Sequence, residues 1–372
     1  MNSLKRTMQE AMRLMQTGDL RAATHALQRS LQARHEPSDA TRQSDAPSAS
    51  DACIEGQYRV VSEAPNPEQP GTAEPQERDG IRTPAGTFLN HRFSCDAGEM
   101  HYKLFIPSGL CEAPPLIVML HGCTQSPDDF ARGTRMNALA QEHGYVVAYP
   151  AQSQSKNASK CWNWFRSQDQ QRGQGEPALI AALTRHLAKV HGLDERRLYA
   201  AGLSAGGAMA AVLGSAYPDV FAAIGVHSGL PFGVAHDLPS AFAAMKQGAS
   251  TPPTGARTLN PVPAIVFHGD RDTTVDPYNG EAVIAQCIGT VSESDAVRAT
   301  VERGSVPGGR TYTRRIFKKL DGSVTAEQWV VHGAAHAWFG GDPAGSYTDP
   351  SGPDASKHML RFFAGYVRRA IN

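Results

Sequence analysis

The five residues Gly202-Leu203-Ser204-Ala205-Gly206 lie between a strand-like run, Arg197 to Ala201, and a helix-like run, Ala205 to Tyr217. Few short stretches constrain a fold as tightly. A strand that turns sharply into a helix through Gly-x-Ser-x-Gly holds the serine in a strained backbone conformation, and the flanking glycines allow close approach by neighbouring chain. Such a turn needs a sheet below it and a helix packed behind it. The amide of Ala205 falls at the helix N-terminus, where unpaired N–H groups and the helix dipole favour negative charge. Ser204 therefore reads as a nucleophile beside half of an oxyanion hole. The alternative reading of the same pattern is tight helix-on-sheet packing, so the rest of the chain must decide.

The remainder of the chain alternates strand and helix signals. Strands are predicted at Phe88 to Cys95, His101 to Ile106, Leu116 to Leu120, Tyr145 to Tyr149, Arg197 to Ala201, Ala222 to His227, Ala264 to His268, Arg314 to Leu320 and Gln328 to His332. Several are short continuous apolar runs, as expected of strands buried on both faces of a parallel sheet. Helices are predicted at Pro127 to His143, Glu176 to His191, Ala205 to Tyr217, Gly280 to Cys287 and Asp354 to Ala370. This alternation predicts an α/β domain with a mostly parallel central sheet and helices on both faces. In such sheets the chemistry gathers at the carboxyl ends of the strands.

A serine hydroxyl needs a base to take its proton and an acid to orient that base. The strand Ala264 to His268 runs through Gly269 into Asp270-Arg271-Asp272-Thr273-Thr274-Val275. Asp272 is the candidate acid; Asp270, nearer the strand end, is the alternative, and either carboxylate could simply cap the turn. The strand Gln328 to His332 leads through Gly333-Ala334-Ala335 to His336. His336, on the loop, is the candidate base, and His332, closing the strand, is expected to be packed. The order Ser204, Asp272, His336 is that of the α/β-hydrolase fold. A second oxyanion donor should follow an early central strand. Leu116 to Leu120 runs into His121-Gly122-Cys123, and the Cys123 amide is the candidate, with His121 holding the loop through its ring nitrogens. Cys161-Trp162-Asn163-Trp164-Phe165 gathers aromatic residues outside any periodic element. Trp162 and Trp164 either pack a loop onto the core or wall an apolar substrate cleft. Trp338 carries the same alternatives and is assigned to the site.

The stretch before the strands has a different character. Leu4, Met8, Met12 and Met15, then Leu20, Ala23, Leu27 and Leu31, recur at helical spacing around Gly18-Asp19. Residues 1–35 are predicted to form a helical hairpin whose apolar stripe pairs with a copy of itself or docks on a granule or other surface. Residues 36–82, rich in Ser, Pro, Asp, Ala, Glu and Gln, read as a flexible linker, and residues 83–372 as the catalytic domain. Charges balance at 36 basic and 36 acidic residues, so no net field favours nucleic acid. No apolar run reaches membrane-spanning length. None of the six cysteines lies in a C-x-x-C pair, which argues against a zinc site. The chemistry calls for no metal or organic cofactor.

Together, Leu120-His121-Gly122-Cys123-Thr124-Gln125, Cys161 to Phe165, Gly202 to Gly207, His268 to Val275 and His336-Ala337-Trp338 resemble the poly(3-hydroxybutyrate) depolymerase family of esterases, related to feruloyl and acetylxylan esterases. The resemblance runs from about Thr83 to the C-terminus. It implies Ser204, Asp272 and His336 as a catalytic triad, a disulfide between Cys123 and Cys161, and a short hydroxyalkanoate ester or polyester as substrate. Feruloyl or acetyl esters on polysaccharide, and acyl transfer by the same triad, are the alternatives. Three departures stand out. The N-terminus lacks the apolar core of a signal peptide, which favours the cytoplasm where the resemblance implies an extracellular or periplasmic location. No polymer-binding segment is recognisable, and Phe339 stands where the family often carries proline.

Overall fold

A computed structural model describes residues 86–249, 262–289 and 297–368. The predicted hairpin over 1–35 and the linker over 36–82 lie outside the described residues. In chain order the elements are β1 (Thr87–Cys95), β2 (Gly98–Ile106), β3 (Leu116–Leu120), α1 (Pro127–Thr134), α2 (Met136–His143), β4 (Val146–Ala151), α3 (Gly175–Val190), β5 (Leu198–Leu203), α4 (Ala205–Ala216) and β6 (Ala223–His227). They continue with α5 (Leu238–Gln247), β7 (Ala264–Gly269), α6 (Tyr278–Ile288), β8 (Arg298–Ser305), β9 (Thr311–Lys318), β10 (Val324–Val331), β11 (Trp338–Phe339), β12 (Thr348–Asp349) and α7 (Ala355–Phe363).

The main sheet has ten strands in the order β1-β2-β4-β3-β5-β6-β7-β10-β9-β8. The central strands β4, β3, β5, β6, β7 and β10 run parallel, and antiparallel pairs close both edges. This is the α/β-hydrolase architecture. Every residue of β3, β5, β6 and β7 is buried, which explains their unbroken apolar runs. The period of two survives within them. Leu116, Val118 and Leu120 face a core shared with α3, α4, α5 and α6, whereas Ile117 and Met119 face a second core built with α1, α2 and α7. A fully buried leucine or phenylalanine contributes about 1.5–3 kcal/mol, and both cores contain several of them beside many alanines.

Strand β3 connects to β4 on one side and β5 connects to β6 on the other. The connections diverge between β3 and β5, and a crevice opens at the carboxyl ends of strands at such a switch point. Ser204 and the His121–Cys123 turn both sit there.

Several boundaries differ from the sequence expectation. The single helix predicted over 127–143 is broken at Arg135, whose φ of 55° is left-handed and which caps both halves. The break frees the Gly133 carbonyl to accept from the Asp342 amide at 2.8 Å. Helix α7 ends at Phe363, short of the predicted extent. β8 and α5 were not anticipated. β8 is an edge strand exposed along nearly its whole length, so it carries no apolar alternation to detect.

Candidate active site

Ser204 has φ 57° and ψ −118°, a conformation that L-residues avoid and that is kept only where the surroundings over-determine it. Its amide donates to the His227 carbonyl at 2.9 Å, and its own carbonyl accepts from Ala208 at 2.9 Å. The glycines around it are required by contact. A Cβ on Gly206 would lie 2.0 Å from the Leu120 carbonyl oxygen, and one on Gly202 would lie 2.4 Å from the Gly206 backbone. The N-terminus of α4 is thereby pressed against the end of β3, beside the His121–Cys123 loop.

That loop is oriented by His121. The ring is buried, and its Nε2 accepts the Gln152 amide proton at 3.1 Å. The neutral tautomer must then carry its proton on Nδ1, which donates to the Gly122 carbonyl at 2.8 Å. A trans peptide holds C=O and N–H antiparallel, so anchoring the Gly122 carbonyl turns the Cys123 N–H the opposite way. Burial lowers the His121 ring to about 4 against the aid of the Gly122 hydrogen bond, so the ring stays neutral near pH 7. The amides of Cys123 and Ala205 make no hydrogen bond among the described residues.

A disulfide joins Cys123 to Cys161. It ties the His121–Cys123 loop to a second loop that is itself held by the Thr124 amide donating to Ser159 O at 2.7 Å. Beneath them Glu176 accepts from the Asn163 amide at 2.7 Å and from Asn163 Nδ2 at 2.6 Å. Gln152 donates to the same carboxylate and to Cys161 O. Burial pushes the Glu176 carboxyl up, opposed by these hydrogen bonds.

Asp272 and His336 meet across the ends of β7 and β10. The parallel pairing continues past both strands through Asp270 N to Val331 O, 3.1 Å, and Arg271 N to Ala334 O, 3.0 Å. Asp272 Oδ2 lies 2.7 Å from His336 Nδ1, while Oδ1 accepts from the Thr274 and Val275 amides at 2.9 Å each. Burial alone would raise this carboxyl. Hydrogen bonds from His268 and His336, with the amide of Val275, hold it well below the usual carboxylate range. An ionised Asp272 fixes the proton of His336 on Nδ1, leaving Nε2 as the basic nitrogen.

The alternative acid and base form a pair of their own. Asp270 Oδ2 lies 2.9 Å from His332 Nδ1, and Thr313 Oγ1 is 2.9 Å from His332 Nε2. The His332 side chain is 41% exposed, so it is hydrogen-bonded at the surface and not packed as the sequence suggested.

The three tryptophans read as either core packing or cleft wall are all buried. Trp162 is fully buried, and its Nε1 donates to His121 O at 3.1 Å. Trp338 is equally buried; its Nε1 donates to Ser356 Oγ at 3.1 Å and its ring stacks on His227. Trp164 lies in the core edge-on to Phe165. Trp162 thereby holds the 121–123 loop from below, and Trp338 is fastened to α7.

Two histidines were not identified from the sequence. His227 Nε2 accepts the Phe339 amide at 3.1 Å and its Nδ1 lies 3.2 Å from Ser228 Oγ, so the ring is neutral with its proton on Nδ1. Burial holds it well below the ordinary histidine range. His268 Nε2 donates to Val275 O at 2.9 Å and lies 3.4 Å from Asp272 Oδ2. One supports the base loop and the other the acid loop. Their positions at the ends of β6 and β7 were the available signal.

The chain matches the family described as Esterase PHB depolymerase over residues 100–306, more than half its length. It is 32% identical to poly(3-hydroxyalkanoate) depolymerase C of Paucimonas lemoignei over 254 residues, which cover 66% of this chain and 60% of that protein. It is 30% identical to feruloyl esterase B of Thermothelomyces thermophilus over 58% of this chain and 76% of that one. Among solved structures, an acetyl xylan esterase from Aspergillus awamori superposes with a TM-score of 0.58 at 18% identity, covering 75% of this chain and 100% of its own, a likeness of fold. Among the described residues no helix is long and apolar enough to cross a membrane.

Proposed function

The chain belongs to the esterase PHB depolymerase family, and we propose that it is a serine carboxylic-ester hydrolase, with residues 83–372 as the catalytic domain, acting on short-chain hydroxyalkanoate polyesters or their oligomers. The observation that carries this reading is the strained Ser204 elbow together with the 2.7 Å Asp272–His336 pair on neighbouring strand ends.

Ser204 Oγ attacks the ester carbonyl carbon while His336 Nε2 takes its proton. Asp272 holds the imidazole and stabilises the imidazolium that forms. The carbonyl oxygen becomes an oxyanion between the Cys123 and Ala205 amides, fixed donors that need no reorganisation as charge develops. Collapse expels the alcohol, which His336 protonates. Water, deprotonated by His336, then attacks the acyl-enzyme and releases the acid and Ser204.

The hydroxyalkanoate substrate is supported by the similarity to the Paucimonas depolymerase; the chain spans about 60% of that protein's length. A feruloyl or acetyl ester on polysaccharide is the second reading, favoured by the similarity to feruloyl esterase B. Residues 1–35 we assign to self-pairing or granule docking, from their amphipathic spacing; their deletion should change oligomeric state or granule binding and spare turnover of soluble esters.

Wild type and Ser204→Ala assayed on a butyrate aryl ester, 3-hydroxybutyrate oligomers, a polymer suspension and methyl ferulate test all of this. Wild-type turnover by Ser204→Ala would overturn the mechanism. A preference for ferulate would overturn only the substrate.

A further inference from the structure

Tyr347 is a large, exposed side chain beside Thr124 whose backbone conformation burial does not account for. Its φ is 53°, in the left-handed region where bulky residues are outliers and where glycine would sit without strain. Its ring is 47% exposed, so core packing does not offset that strain. The backbone on both sides is fixed. Ser346 N donates to Asp129 Oδ1 at 2.9 Å, Gln125 Nε2 donates to Ser346 O at 3.1 Å, and the Tyr347 carbonyl accepts from Trp338 N at 2.7 Å. Thr348 pairs with Trp338 in the small β11–β12 sheet. The turn is therefore bound on one side to the helix entered from the oxyanion loop and on the other to the chain just past His336.

The phenol oxygen lies 3.3 Å from Thr124 Oγ1. Thr124 directs its own hydroxyl proton to the Cys123 carbonyl, so at this contact the tyrosine donates. That places the ring beside the residue that follows the Cys123 amide. Strain of this kind persists where the surroundings over-determine it, and such residues cluster at active sites and ligand clamps.

We propose that Tyr347 is a specificity-determining residue, its ring forming the wall along which an ester chain extends beyond the bond being cleaved. The inference rests on the esterase reading above. The ligand it fits is an apolar-bodied chain with ester groups at intervals, which an aromatic face can cover without demanding a particular polar partner. It offers the exposed aromatic face that the buried Trp162, Trp164 and Trp338 do not.

The test is the ratio of kcat/KM for a 3-hydroxybutyrate trimer to that for p-nitrophenyl acetate, which is too small to reach past the scissile group. Tyr347→Gly should lower this ratio about tenfold, chiefly through KM for the trimer, the scale of a lost apolar subsite contact. Its thermal midpoint should not fall, since glycine removes the strain. Tyr347→Phe should keep most of the wild-type ratio. Equal losses on both esters would mean that Tyr347 only braces the loops, and an unchanged ratio would mean that the ring touches nothing; either overturns the inference. Loss of acetate turnover in Ser204→Ala tests the esterase reading separately. Wild-type inactivity on both esters would overturn that reading and the inference with it.

Discussion

Asp272 Oδ2 stands 2.7 Å from His336 Nδ1, whereas the neighbouring carboxylate of Asp270 is engaged 2.9 Å from His332. Two acid–histidine pairs thus lie side by side at the ends of the same strands, and only one is buried. Asp272→Asn should lower kcat by about four orders of magnitude, because the amide stabilises the wrong imidazole tautomer. Asp270→Asn should cost less than about tenfold, the result of loosening a partly exposed pair. Steady-state kinetics on a soluble ester distinguishes them; the reverse ranking would move the acid to Asp270.

His121 bonds the Gly122 carbonyl and the Gln152 amide, and we assign it to orienting the Cys123 amide. His121→Phe keeps the bulk of the ring but frees the Gly122 carbonyl, so the Cys123 amide loses its fixed direction. We expect kcat to fall about 10–100-fold with KM little changed, somewhat less than outright loss of an oxyanion donor. A change confined to KM would assign His121 to binding instead.

Residues that act at strand ends could be read from the sequence because a continuous apolar run stops abruptly at each of them. β3 halts at His121, β5 at Ser204 and β7 shortly before Asp272, and chain order alone suggested which groups meet. What could not be read is set by contacts across the chain. Trp162 and Trp338 are near the site in sequence, yet their N–H groups find His121 O and Ser356 Oγ, and those partners draw both rings into the core. His227 and His268 are strand residues by pattern, and only the packed sheet reveals that each supports a loop. Arg135 breaks the helix predicted over 127–143, and the break goes with a bond from Asp342 N to the freed Gly133 carbonyl far along the chain.

The Cys123–Cys161 bond closes a loop with a sequence separation of 38. Chain entropy alone then gives about 4 kcal/mol, the smaller end being expected because several hydrogen bonds already restrain both segments. Cys161→Ser should lower the thermal midpoint and, on our assignment of the Cys123 amide to the oxyanion hole, lower kcat as well. Thermal unfolding with and without reductant checks it. Wild type that is insensitive to reductant while Cys161→Ser is destabilised would mean that the bond is sheltered, not that it is inert.

Arg172 and Arg185 both contact Asp219, and the hydrogen bond from Arg172, against some burial, lowers its carboxyl to about 2. A depressed carboxyl stabilises the fold above its unfolded value of roughly 4, and that stabilisation is lost as pH falls toward the folded value. Asp219→Asn should therefore cost about 1 kcal/mol near pH 7, after allowance for solvent screening. The gap to wild type should close between about pH 4 and about pH 2. A gap that persists at the acid end would mean that packing, not charge, holds this corner.

Ser204 hangs from three strands at once: it ends β5, its amide is bound to the end of β6, and Gly206 rests on the end of β3. No local opening can release the elbow without parting the middle of the sheet, so its amide should exchange with solvent only as fast as the whole domain unfolds. Tyr347 sits on a short turn outside that sheet. That turn is tied instead to α1 and to the chain past His336, so a chain built this way can alter what it grips without loosening the strands from which Ser204 hangs.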